Sequence, residues 1–157
     1  MIQALDGRIN ILLVEDNPGD VDLAKDALRQ FKTPHTLHVA SDGALALDYL
    51  FAFERGAASL LDPIVPDLIL LDLNLPKIDG REVLAIIKKH ERLGQIPVII
   101  LTSSNAEHDL LQAYRSHANC FLTKPADLEL FFAMFEEIER FWLQLVKLPP
   151  RLAPARH

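Results

Sequence analysis

Ile9-Asn10-Ile11-Leu12-Leu13-Val14-Glu15-Asp16-Asn17-Pro18 changes character twice within a short stretch. An apolar run of strand length ends on two acids, and Asn17-Pro18 then sets a capping side chain before a proline suited to the first helical position. A buried strand that hands over directly to a helix reads as a βα unit. The same grammar recurs at Asp67-Leu68-Ile69-Leu70-Leu71-Asp72. Its near-continuous Leu and Ile content fits a strand covered on both faces, as in parallel sheets.

Outward from these two strands, the βα alternation runs five times along the chain. The first helix reaches about Gln30, and Thr36 to Ala40 is a short second strand. Ser41-Asp42-Gly43 leads into a helix carrying Leu45, Leu47, Tyr49, Leu50 and Phe53, and residues 56–66 form a loop. After the third strand, Leu75-Pro76-Lys77-Ile78-Asp79-Gly80 is a turn-rich loop, followed by a helical face of Val83, Leu84, Ile86 and Ile87. Pro97 to Leu101 is the fourth strand. Ala106 to His117 is a helix with Leu110, Leu111 and Tyr114 inward, and Asn119 to Leu122 is the fifth strand. The last helix runs from about Asp127 to Val146, and Pro149-Pro150 stops it. Right-handed crossovers make this an α/β fold: a flavodoxin-like, doubly wound, five-stranded parallel sheet of order 2-1-3-4-5 with five helices. Residues 1–8 form an amino-terminal arm, 9–146 the folded unit, and 147–157 a proline-rich tail.

Composition narrows the function. The 157 residues, half of them hydrophobic, suit one core, and 16 Lys plus Arg against 22 Asp plus Glu leave a net charge of -6. That balance offers no broad basic surface for nucleic acid. Cys120 has no partner for a disulfide, no export signal opens the chain, and no apolar run is long enough to span a membrane. A cytoplasmic protein is expected.

In open α/β sheets, ligands bind beyond the carboxyl ends of the strands, at the point where the winding reverses. There the first strand offers Glu15 and Asp16, the third Asp72, the fourth Thr102 and the fifth Lys124. Singly, each reads as a cap, a loop acid or a surface charge; jointly they describe a site. Oxygen donors without a histidine partner fit Mg2+, with the Asn74 backbone carbonyl as a further ligand. His35, His38, His90, His108, His117 and His157 show no spacing that brings zinc ligands together. A carboxylate beside a bound cation can attack phosphorus, so Asp72 is placed as a phosphoacceptor. The Thr102 hydroxyl and the Lys124 ammonium are placed to pair with phosphoryl oxygens. Asn74 and Ser104 flank the site.

Leu12-Leu13-Val14-Glu15-Asp16-Asn17, Leu70-Leu71-Asp72-Leu73-Asn74-Leu75-Pro76, Asp79-Gly80, Leu101-Thr102-Ser103 and Thr123-Lys124-Pro125, in that order, strongly resemble the receiver domain of two-component response regulators. The likeness covers residues 9 to about 146. It implies phosphorylation of Asp72 from a kinase phosphohistidine, Mg2+ on Asp16 and Asp72, and Glu15 acting through water. It also implies a cis peptide before Pro125 and an aromatic switch at Phe121, which turns as Thr102 moves. Such a protein is no enzyme in the usual sense, though it assists its own phosphotransfer and dephosphorylation. The long loop at 56–66, Ser116 to Phe121, Phe141-Trp142-Leu143 and Leu148-Pro149 are similar to stand-alone response regulators of bacterial, cyanobacterial-type phytochrome histidine kinases. A sensor histidine kinase of the phytochrome type is the partner this implies.

The last helix carries two apolar sides. Leu128, Phe131, Phe132, Phe135, Ile138, Trp142 and Leu145 are expected on the sheet, and Met134, Phe141 and Leu148 on an outer side that suits a homodimer. Residues 147–157 are too short for an output module, so output is expected through a downstream protein or a phosphotransfer protein. Two other readings remain open. One is a phosphorylation-independent adaptor. The other is a Mg-dependent phosphatase with an aspartyl intermediate, which would want a second acid where Asn74 stands.

Overall fold

The structure is a computed structural model and describes residues 7–54 and 65–152. Most of the loop expected at 56–66 lies outside the described residues. The chain runs β1 (Ile9–Val14), α1 (Pro18–Arg29), β2 (His35–Ala40), α2 (Gly43–Glu54), β3 (Leu68–Leu71), α3 (Gly80–Lys89), β4 (Val98–Thr102), α4 (Glu107–Arg115), β5 (Cys120–Thr123) and α5 (Leu128–Ile138). The sheet has the order β2-β1-β3-β4-β5 with every pairing parallel, as expected.

Alternation along the strands builds two cores. Leu12, Val14, Ile69, Leu71, Val98 and Ile100 face one way and pack with α2 and α3 residues such as Leu50, Val83 and Ile87. Ile11, Leu13, Leu68, Leu70, Ile99 and Leu101 face the other way, against Ala24 and Leu28 of α1 and Phe131 and Phe135 of α5. The near-continuous apolar runs of β1, β3 and β4 follow from this double burial, which stabilises each large side chain by about 1.5–3 kcal/mol.

Two local expectations are corrected. In α4, Leu110, Leu111 and Tyr114 point outward, at 37%, 49% and 49% exposure, while Asp109 and Ala113 are buried. An ion pair from Asp109 to Arg81 turns this helix against its apolar periodicity. In the last helix, the α-helical course ends at Ile138, and a π-helical segment continues over Glu139–Leu145. The wider turn shifts the phase by about one residue. Glu139 and Leu143 therefore face inward and Leu145 stands 73% exposed, whereas within the regular α5 helix Leu128 is itself 53% exposed and Met134 packs partly against the core, both contrary to expectation. The buried Glu139 carboxylate accepts the Thr33 backbone N–H at 2.8 Å, so a polar side chain compensates where the phase changes.

The amino ends of the strands are closed by polar ties. Lys88 Nζ donates to the carbonyls of Gly94 (3.1 Å) and Ile96 (2.8 Å) and to Asn119 Oδ1 (3.0 Å), and burial pushes its ammonium down to about 8. Arg151, from the expected tail, donates to Asp67 at 2.6 and 3.2 Å and to the Arg8 carbonyl at 2.8 Å, and Leu152 packs on the core. No helix among the described residues is long and apolar enough to cross a membrane.

Candidate functional site at the carboxyl ends of the strands

Each site residue sits where its strand stops. Glu15 follows β1 with its N–H bonded to the Ala40 carbonyl, and Asp72 follows β3 with its N–H on the Val14 carbonyl. Thr102 ends β4 fully buried, and the Lys124 N–H donates to the Thr102 carbonyl at 2.7 Å. The sheet register therefore fixes these backbones.

The oxygens of Glu15, Asp16 and Asp72 lie within 4.8 Å of one another, the first and third residues buried and Asp16 exposed. An all-oxygen set with one open side fits a hard divalent cation that keeps some of its waters. Lys124 reaches the same place. Its ammonium donates to Glu15 Oε1, to Asp20 Oδ2 at 2.9 Å and to Asp72 Oδ2 at 3.0 Å. The Asn74 N–H donates to Asp72 Oδ1 at 3.1 Å, so both oxygens of Asp72 are engaged. Burial pushes Glu15 up to about 7, aided by the Asp72 charge and offset by Lys124 and the Asn17 amide. Burial alone would lower Lys124, but hydrogen bonds to Glu15 and Asp20 and the Asp72 charge hold it above its ordinary range.

Asp20 was not among the residues singled out from the sequence. It belongs to the first turn of α1, whose cap Asn17 accepts the Asp20 N–H at 3.0 Å. Its side chain reaches the Lys124 ammonium across 104 positions, a contact with no local mark in the sequence. Phe121 lies half-buried in β5, packed against the core on the α2 and α3 side. No cis peptide occurs among the described residues, so the bond before Pro125 is trans, which corrects the expectation. The trans form is the more stable for an X–Pro bond by roughly 0.5–1 kcal/mol, and Lys124 reaches the acids without the alternative.

A second polar group borders the site. Asp109 Oδ2 accepts the Ser104 hydroxyl at 2.6 Å, and Arg81 Nε and Nη2 fork onto the same carboxylate at 2.9 Å each. The Ser104 hydroxyl, opposed by burial and helped by Arg81, holds the Asp109 carboxyl below its ordinary 3.8. The native state then binds fewer protons at this group than the unfolded chain does. Its stabilisation is complete above about pH 4 and disappears as pH falls through the native value. In urea unfolding, the gap between wild type and Asp109→Asn should stay constant from pH 7 to 5 and close in more acid solution. A gap that widens on acidification would contradict this.

The chain is similar to known proteins over most of its length. The family described as response regulator receiver domain matches residues 11–136. Response regulator Rcp1 of Synechocystis sp. is 45% identical over 139 residues, covering 88% of this chain and 92% of its own. The crystal structure of the Mn(2+)-bound form of Rcp1 superposes with a TM-score of 0.83 at 44% identity, covering 90% of this chain and 99% of that one. The phosphorylated cyanobacterial phytochrome response regulator RcpA superposes with a TM-score of 0.81 at 45% identity, over 91% of this chain and 99% of that one.

Proposed function

The chain belongs to the response regulator receiver family, and from that premise we propose that Asp72 accepts a phosphoryl group from a sensor histidine kinase of the phytochrome type, in the cytoplasm. The observation that carries this reading is the acid trio, its oxygens within 4.8 Å of one another, with Lys124 Nζ 3.0 Å from Asp72 Oδ2. Glu15, Asp16, Asp72 and the Asn74 backbone carbonyl would hold Mg2+. The ion, when bound, offsets charge on the phosphoryl oxygens.

An Asp72 carboxylate oxygen attacks phosphorus as the P–N bond of the phosphohistidine breaks. The imidazole leaves with the bonding pair and takes a proton from water. Lys124 can release Asp72 Oδ2 without losing all its partners, because Glu15 and Asp20 still accept from it. It then pairs with one phosphoryl oxygen while the Thr102 hydroxyl turns to another. The new group adds about -1.5 to -2 of charge. Movement of Thr102 gives Phe121 room to turn inward and alters the face of α4, β5 and α5. That face exposes Leu110, Leu111 and Tyr114, and the last helical segment adds Phe141 and Leu145. It serves a homodimer and a downstream protein or phosphotransfer protein.

The test incubates the full chain with Mg2+ and acetyl phosphate, then with a phosphorylated phytochrome kinase, following label and light-scattering mass. One hydroxylamine-labile phosphoryl group per chain is expected, abolished by EDTA, with a rise in mass on labelling. No label would mark a phosphorylation-independent adaptor. Continued release of phosphate from unrelated esters would mark a phosphatase.

A further inference from the structure

Between the nucleophile loop and Thr102 runs a line of hydrogen bonds that the chemistry above does not use. At one end, Arg81 Nη1 donates to the Leu73 carbonyl, one residue beyond Asp72, at 3.4 Å, and to both oxygens of Asp79 at 3.0 and 3.1 Å. Its other two nitrogens, Nε and Nη2, grip Asp109 of α4 in a fork. Asp109 holds the Ser104 hydroxyl, and the Ser104 backbone N–H donates to Thr102 Oγ1 at 3.3 Å. The line is sheltered: the Arg81 side chain is 28% exposed and that of Asp109 11%. Forked arginine–carboxylate pairs are among the stronger and more directional protein hydrogen bonds.

Thr102 Oγ1 is the atom that has to travel to a phosphoryl oxygen. As it travels it leaves the Ser104 N–H or draws Ser104 along, and Ser104 is tethered through Asp109 to α3. The same tether turns α4 so that Leu110, Leu111 and Tyr114 face outward. We propose that Arg81, Asp109 and Ser104 are positioning residues forming one latch, which holds Thr102 and the amino end of α4 in the resting arrangement and opposes the phosphorylated one. The proposal rests on the reading of Asp72 as phosphoacceptor.

A latch of this kind taxes any ligand that selects the switched arrangement, so breaking it tightens that ligand. The probe is beryllofluoride with Mg2+, titrated calorimetrically into wild type, Arg81→Ala, Ser104→Ala, the double variant and Arg81→Lys. Each alanine variant should bind on the order of tenfold more tightly than wild type. Arg81→Lys, which keeps the charge and loses the fork, should fall between. The double variant should bind no more tightly than the tighter single, because one line broken twice is still one line. A merely structural role would weaken both the thermal midpoint and the affinity, whereas a latch raises affinity even where the midpoint falls. Weaker binding by the alanine variants, or additive tightening in the double, overturns the latch and leaves the phosphoacceptor reading standing. No binding by wild type overturns that reading itself.

Discussion

Asp72→Asn is expected to lose phosphoryl uptake from both acetyl phosphate and the kinase, by on the order of 10^3-fold or more, while folding as well as wild type. The loss follows from replacing the attacking carboxylate by a neutral amide, whose remaining oxygen is a poor nucleophile, and loss of a nucleophile elsewhere costs at least this much. The neighbouring Glu15 does not take over. Glu15 is buried, already carries Lys124 and the Asn17 N–H, and is pushed up to about 7, which makes it a poor nucleophile at neutral pH. Fold retention follows from the charges. The Asp72 charge is one cause of the upward push on Glu15, so removing it relieves repulsion between two buried carboxyls. Lys124 keeps Glu15 and Asp20, and an asparagine oxygen can still accept the Asn74 N–H. Label counted per chain and the thermal midpoint decide the matter together. Residual label on the variant would move the acceptor to another residue, and a collapsed midpoint would make Asp72 a structural residue first.

The strands and the residues that end them were readable in the chain because both leave signals local to each strand, and right-handed crossovers then gave the strand order. Leu68 to Leu71 are buried on both faces, and that leaves a continuous apolar run. Glu15, Asp72 and Lys124 follow strands and Thr102 ends one, so the parallel sheet brings them together once its order is known. The side α4 presents was not readable. Leu110, Leu111 and Tyr114 have the period of a buried stripe, yet the fork from Arg81, twenty-eight positions away, decides the rotation. The π-helical phase shift had no local mark either. Glu139 looks like a surface acid until the Thr33 amide, 106 positions earlier, is found against it. Asp20 reads as part of a cap because its contact with Lys124 spans 104 positions. What escapes is long-range polar pairing, which overrides a hydrophobic period at a few helix positions and leaves no period of its own.

Gly80→Ala is expected to lower stability by about 3 kcal/mol and phosphoryl uptake on the order of a hundredfold, the two losses having one cause. A Cβ on Gly80 would stand 2.1 Å from the Asp72 carbonyl oxygen and 2.6 Å from Leu73 Cα. Backbone atoms are the obstacle, so no side-chain rotation relieves the clash. By helix propensity alone, alanine would favour α3 by about 1 kcal/mol over glycine. Overpacking at this distance exceeds that gain, at the upper end of the usual 1–3 kcal/mol or beyond it. Relief requires moving the chain at 72–73, which carries the nucleophile, and a displacement of about 1 Å costs roughly 10^2-fold in such chemistry. The far side of this loop leaves no room to retreat, since a Cβ on Gly43 would stand 2.0 Å from the Ile78 carbonyl oxygen. Lys77, at the apex between them, is already held at φ 66. Gly19→Ala is the control: its Cβ would meet only the side-chain oxygen of Asn17, at 3.1 Å. That variant should stay within about 1 kcal/mol of wild type and accept phosphoryl normally. Urea unfolding and label uptake measured on the two variants separate a steric wedge behind Asp72 from a general intolerance of alanine at helix starts. Equal behaviour of the two would leave the close approach at Gly80 without consequence.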